Sequence, residues 1–143
     1  MRLQLALNVS NLEQAIAYYT KLFATEPHKV RNGYANFLIH SPPLKLVLFE
    51  NPEADQRLNH LGVEVDEPAQ IASAKARLAK CAILDEVVNN QTCCHARQDK
   101  LWSREPQGLR WEWYRISDDA PDKAEQSSAC CSQNTISGET RTQ

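Results

Sequence analysis

Gln4-Leu5-Ala6-Leu7-Asn8-Val9 and His60-Leu61-Gly62-Val63-Glu64-Val65 lie fifty-six positions apart, and reading one against the other decides the fold. In each stretch apolar and polar residues alternate with the period of a half-buried strand. Each then leads into a helix signal. Ser10-Asn11-Leu12-Glu13 has the capping-box form, and Leu12, Ile16, Tyr19 and Phe23 recur behind it at helical spacing. Asp66-Glu67-Pro68 opens an alanine-rich helix to about Lys80, with Pro68 tolerated in its first turn. One strand–helix unit used twice accounts for both; chance likeness between two amphipathic strand–helix pairs is the alternative.

Both units continue into strands. Asn32-Gly33 lies between Lys29-Val30-Arg31 and the run from Tyr34 to Ile39, a hairpin signal because both turn residues tolerate positive φ. Ser41-Pro42-Pro43 interrupts the next step, and Leu44, Leu46 and Leu48 alternate through a further strand that ends at Glu50-Asn51-Pro52. In the second unit, strands are expected around 83–88, 94–102 and 109–114, with Pro106-Gln107-Gly108 as the last turn. The chain therefore reads as α+β, with two βαβββ modules at about 1–52 and 57–116 forming one domain over 1–116. From Ser117 the composition changes to Asp, Ser, Gln, Thr and Lys, too polar to offset its ordering entropy by burial, so 117–143 is expected to be a disordered tail carrying Cys130 and Cys131.

At 143 residues the chain is large enough to bury a core without disulfide staples. Sixteen basic and eighteen acidic residues, interspersed along the domain, leave no footprint for a phosphate backbone, so nucleic acid is excluded as an expected partner. No apolar run approaches the ~18 residues that suggest a membrane span, and Met1-Arg2-Leu3-Gln4 opens no signal-peptide core, so a cytoplasmic protein is expected. The five cysteines are two adjacent pairs and Cys81. Adjacent cysteines sit about 3.8 Å apart at Cα, too close for an ordinary disulfide, and read as thiols for a soft ligand.

Period-two alternation sets Gln4 opposite the leucines of its strand and His60 in the equivalent place of the repeat. Glu112, between Trp111 and Trp113, points away from both tryptophans. The three are expected to converge on one divalent metal. Such a facial set of oxygen and imidazole donors leaves positions open for substrate or dioxygen, as in non-haem iron(II) oxygenases. Gln4 stands where a second histidine is more familiar, and its neutral amide oxygen is a weaker donor, so the metal's identity stays open. Singly, each residue has a blander reading: a satisfied strand His, a solvated Glu, a Gln that binds nothing. The repeat links Gln4 and His60, and Glu112 closes the second unit.

Cys93 and Cys94 follow Asn89-Asn90-Gln91-Thr92, a polar stretch suited to a loop. Side chains of neighbouring strand residues face opposite sides, so shared coordination by this pair requires a loop or a bulge. Two thiolates there would suit trivalent arsenic, cadmium or zinc, with His95 available to a metal version; one buried thiol beside an incidental one is the alternative.

From Gln4 to Tyr114 the sequence resembles the ArsI/CadI group of the glyoxalase, bleomycin-resistance and extradiol-dioxygenase superfamily, which has the vicinal oxygen chelate fold. The resemblance runs through Gln4-Leu5-Ala6-Leu7, Gly33-Tyr34-Ala35-Asn36-Phe37, Pro42-Pro43-Leu44-Lys45-Leu46-Val47-Leu48, Leu58-Asn59-His60-Leu61-Gly62-Val63-Glu64-Val65, Thr92-Cys93-Cys94 and Gln98-Asp99-Lys100. It implies a curved mixed sheet around a metal site. It also implies a C–As lyase that uses Fe(II) and dioxygen to convert methylarsenite and aromatic arsenicals to inorganic arsenite. Gln4, His60 and Glu112 are carried over as iron ligands, and Cys93 and Cys94 as the arsenic-binding catalytic pair. Lys100 and Trp102, on the same hairpin, are expected to close the pocket, Lys100 against substrate. His28, His40 and His95 gain no role. A homodimer is the assembly to expect, with the site within one chain or shared between two. The alternatives are a cadmium- or heavy-metal-binding resistance protein and a glyoxalase-like isomerase or antibiotic-binding protein, the last of which leaves the thiol pair unused.

Overall fold

The computed structural model describes residues 1–93, apart from the side chain of Cys93, and residues 96–119. Its elements run β1 (Arg2–Val9), α1 (Leu12–Phe23), β2 (Lys29–Arg31), β3 (Tyr34–Ile39), β4 (Leu44–Glu50), β5 (Leu58–Glu64), α2 (Pro68–Lys80), β6 (Glu86–Cys93), β7 (Ala96–Arg104) and β8 (Arg110–Asp118). The strands form one sheet in the order β2-β3-β4-β1-β5-β8-β7-β6. Each module pairs its first strand in parallel with its last, β1 with β4 and β5 with β8. The modules meet at an antiparallel seam between β1 and β5, where Gln4 faces Gly62 and Ala6 faces His60. This register has two-fold symmetry: each polar residue faces the small residue that occupies the equivalent position of the other strand.

Local chemistry sets the helices. The Asn11 side chain accepts from the Gln14 backbone N–H at 2.9 Å and caps α1. Ala24, at φ 48 in the left-handed region, ends it, with its N–H donating to the Thr20 carbonyl. In α2, Gln70 Oε1 accepts from the backbone N–H groups of Asp66 and Glu67 at 3.0 and 2.9 Å. Both helices pack on the sheet face that carries the odd-numbered residues of β1. Ile16, Tyr19 and Phe23 of α1 cover Phe37, Ile39, Leu46 and Leu48, and Ala74 and Leu78 of α2 cover Leu101 and Trp113. The opposite face is left to line a concave, largely polar interior. The sheet curls around that interior: Asp119, just beyond β8, reaches His28, just before β2, and Lys29 at its start, five strands away.

The last three strands of the second module start and end later than expected, with β6 starting at Glu86 and β7 ending at Arg104, and two differences bear on the polar stretches. Asn89–Thr92, expected as a loop, lies within β6. Gln91 and Thr92 pair with Gln98 and Arg97, and the register shift between Val88 and Gln91, with Asn90 at φ 51, absorbs the irregularity. The irregularity therefore falls upstream of Cys93, which still pairs with Ala96. The last strand also extends further than its apolar content suggests. Ile116 and Asp118 pair with Gln98 and Arg97, so Ser117 and Asp118, expected in the tail, belong to the sheet. Residues 120–143, with Cys130 and Cys131, lie outside the described residues. Among the described residues no helix is long and apolar enough to cross a membrane.

Candidate metal centre

Gln4 on β1, Gly62 on β5 and Glu112 on β8 stand in one row across the seam, and His60 lies two residues along on the same face of β5. Because Gly62 has no side chain, Gln4 and Glu112 meet above it: Gln4 Nε2 donates to Glu112 Oε2 at 2.9 Å. The same amide nitrogen lies 3.1 Å from His60 Nε2, and His60 Nε2 lies 3.3 Å from Glu112 Oε2. All three residues are buried. A Cβ at position 62 would stand 3.1 Å from Gln4 Nε2, 3.2 Å from Gln4 Cβ and 3.4 Å from the Glu112 carbonyl oxygen.

This triangle has the dimensions of three adjacent donors on one ion. Metal–donor bonds of about 2.1 Å at right angles separate neighbouring donors by about 3 Å. Gln4 turns its amide nitrogen to the other two, so to ligate it must rotate the amide and present Oε1. Among the described residues no three His, Cys, Asp or Glu side chains cluster to hold a metal. The two-fold counterpart of Glu112 is Val47, which pairs with Ala6 as Glu112 pairs with Gly62. An apolar residue therefore occupies the position symmetric to Glu112.

The surrounding charge is organised around Glu112. Burial pushes its carboxyl up, but the Lys100 ammonium, 2.7 Å from Oε1, and the His60 contact outweigh burial and hold it well below the usual carboxylate range. A second buried group lies on the same face. Tyr114 donates to Glu64 Oε2 at 2.8 Å, Lys45 Nζ lies 3.6 Å from that oxygen, and Arg2 approaches Glu64 Oε1 at 3.4 Å. Burial lowers the Lys45 ammonium against the opposing pull of Glu64 and Glu112, while burial and Glu64 push the Tyr114 phenol well up. Trp102 meets the His60 ring edge-on at 5.2 Å and carries the Arg110 guanidinium 4.0 Å over its face. On the other side Phe49 lies 6.4 Å from His60 and 5.7 Å from Tyr34.

A single chain thus brings Gln4, His60, Glu112, Lys100 and Trp102 together. Lys100, expected against substrate, ion-pairs with Glu112. Cys93 ends β6, and its side chain, with Cys94 and His95, lies outside the described residues. His28 is remote from the centre and pairs with Asp119. The sequence reading missed Gly62, Asn59, Lys45, Glu64 and Tyr114 as parts of this interior. Gly62 had a signal: it is the one position in the repeated strand where small size recurs, opposite Gln4 as Ala6 is opposite His60.

The profile described as the Glyoxalase/Bleomycin resistance protein/Dioxygenase superfamily matches residues 3–113. A trivalent organoarsenical cleaving enzyme of Thermomonospora curvata is 50% identical over 132 residues, spanning 91% of this chain and 87% of that protein. The cadmium-induced protein CadI of Mycobacterium bovis is 50% identical over 119 residues, spanning 83% and 78%. Among solved structures, the Mn(II)-bound glyoxalase from Novosphingobium aromaticivorans superimposes with a TM-score of 0.61 at 14% identity, over 83% of this chain and 40% of that one, which is a likeness of fold.

Proposed function

The chain belongs to the glyoxalase/bleomycin resistance protein/dioxygenase superfamily, and on that premise we propose that it cleaves the carbon–arsenic bond of trivalent organoarsenicals, using iron(II) and dioxygen. The observation that carries this reading is the buried triangle of Gln4, His60 and Glu112, with edges of 2.9 to 3.3 Å. The relative named for organoarsenical cleavage supports the substrate class.

Gln4 Oε1, His60 Nε2 and Glu112 Oε2 would hold the metal. Iron(II), when bound, would supply a redox-active Lewis acid. Lys100 occupies Glu112 Oε1 and leaves Oε2 toward the other two donors. Trp102 and Phe49 flank the His60 ring, with Tyr34 against Phe49, and offer apolar surface to the organic substituent. Cys93 and Cys94 hold trivalent arsenic as thiolates and so convert an encounter into a positioned reaction, a contribution of several kcal/mol at most. For methylarsenite the change balances with one dioxygen. The C–As bond breaks, one oxygen atom ends as a new hydroxyl on arsenic with a hydrogen from the methyl group, and the other ends on carbon, giving arsenite and formaldehyde.

The test is to load the protein with iron(II) without air, admit air and methylarsenite, and measure inorganic arsenite. Arsenite release that depends on iron is expected, and both Cys93→Ser and His60→Ala should abolish it; no iron-dependent release would sink the proposal. The resemblance to the cadmium-induced protein CadI favours one other reading, a thiol protein that sequesters metal. Such a protein would keep its cadmium capacity in His60→Ala and lose it in Cys93→Ser.

A further inference from the structure

We propose that Asn59 is a positioning residue that fixes which ring nitrogen of His60 carries the proton, and that it does so because a β-bulge turns it into the interior. Across the seam Ala6 pairs with His60 but Leu7 pairs with Leu58, so Asn59 is the extra residue on β5. On a regular strand its side chain would face the helices, opposite His60. The bulge instead sets Asn59 Oδ1 2.7 Å from His60 Nδ1 and Asn59 Nδ2 2.9 Å from Asn8 Oδ1. Asn8 Nδ2 in turn donates to the backbone carbonyl of Gln56 at 2.9 Å.

This chain of contacts can be read in one direction only. The Gln56 carbonyl is an acceptor that cannot be turned around, so the Asn8 nitrogen must face it, and the Asn8 oxygen must face Asn59. Asn59 then donates its nitrogen to Asn8 and turns its oxygen to the ring. An oxygen at 2.7 Å requires a proton on His60 Nδ1. In the neutral ring the lone pair is therefore on Nε2, the atom at the corner shared with Gln4 and Glu112. On the far side the two Gln4 amide protons face the Nε2 lone pair and Glu112 Oε2, at 3.1 and 2.9 Å. The 3.3 Å approach of that lone pair to Glu112 Oε2 sets two acceptors side by side, where a cation, or a second ring proton below the histidine range, would sit between them. The partner chosen for the ring is a neutral amide, so it orients the ligand without adding negative charge behind it, unlike a carboxylate in the same position.

The consequence for metal binding rests on the centre proposed above; the tautomer does not. The experiment uses the full chain, metal-free and 15N-labelled at histidine, with ring-nitrogen NMR at a pH above the ordinary histidine range. It is followed by anaerobic iron(II) titration of wild type, Asn59→Ala and Asn8→Ala. Wild type is expected to show His60 protonated at Nδ1 alone. Asn59→Ala should show a mixture of tautomers and bind iron(II) roughly 10- to 100-fold more weakly. Asn8→Ala, which leaves Asn59 beside the ring but free to turn over, should fall between them. Wild-type His60 protonated at Nε2 overturns the inference even if neither variant folds, and so does an Asn59→Ala protein that keeps the wild-type ring signals. Expected ring signals in a wild-type protein that binds no iron(II) would support the relay and overturn the proposed metal centre, so the two failures are distinct.

Discussion

A methyl group at position 62 would press on Gln4 at two atoms while leaving the backbone of β5 able to hold its shape, since Gly62 needs no positive φ. Gly62→Ala is therefore expected to move Gln4 off the triangle, weakening divalent-metal binding by roughly tenfold or more. Overpacking should cost about 1 to 3 kcal/mol of stability. A competition titration beside a urea melt separates the two effects. Lys100 gives a second expectation. Lys100→Met leaves the buried Glu112 carboxylate without its cation, and removing one partner of a buried pair costs about 3 to 5 kcal/mol. A divalent ion at the proposed centre would supply the missing charge, so metal should raise the melting temperature of the variant more than that of wild type. At this scale the sequence was legible where alternation applies: period two put Gln4, His60 and Glu112 on one face. It was silent on Asn59, because the same rule assigns that residue to the wrong side until the bulge is known. It was silent too on Lys45, Glu64 and Tyr114, whose contacts join three strands distant in the chain.

The helices began where the sequence signalled, as at Pro68, but the cap of α1 sits one residue later than the capping box at 10–13 implies, because the Asn11 side chain takes the Gln14 backbone N–H. Strands departed from the sequence pattern where polar residues are held by partners rather than by their own preference. Asn89–Thr92 is strand because β7 supplies hydrogen bonds, and composition cannot report a neighbour. The end of α1 gives the prediction for this scale. Ala24 adopts a left-handed conformation that costs an L-residue about 1 to 2 kcal/mol, part of which glycine returns as unfolded-state entropy. Ala24→Gly should thus stabilise the chain by about 0.5 to 1 kcal/mol in urea unfolding, with no change in metal affinity.

Across the whole molecule, the duplication was visible as a fifty-six-residue repeat, whereas the way its halves meet was not, since nothing in either strand announces that β1 and β5 pair. The curl of the sheet was hidden for the same reason: Asp119 fell in a stretch read as tail. Burial raises its carboxyl, but hydrogen bonds from His28 and Lys29 outweigh this and hold it below the usual carboxylate value. A depressed folded pKa contributes stability above the unfolded value and loses it as pH falls through the folded one. Wild type should therefore be more stable than Asp119→Asn near neutrality, and the gap should close in acid, as urea melts at both pH values would show. The antiparallel seam has one more consequence. It joins surfaces of two modules that are tethered only through residues 51–57, and β1 would meet the same β5 edge if that edge came from another copy. Shortening the tether until it cannot fold back should yield an exchanged pair in which each chain lends its amide to the other's imidazole and carboxylate, with two intact sites and no free monomer.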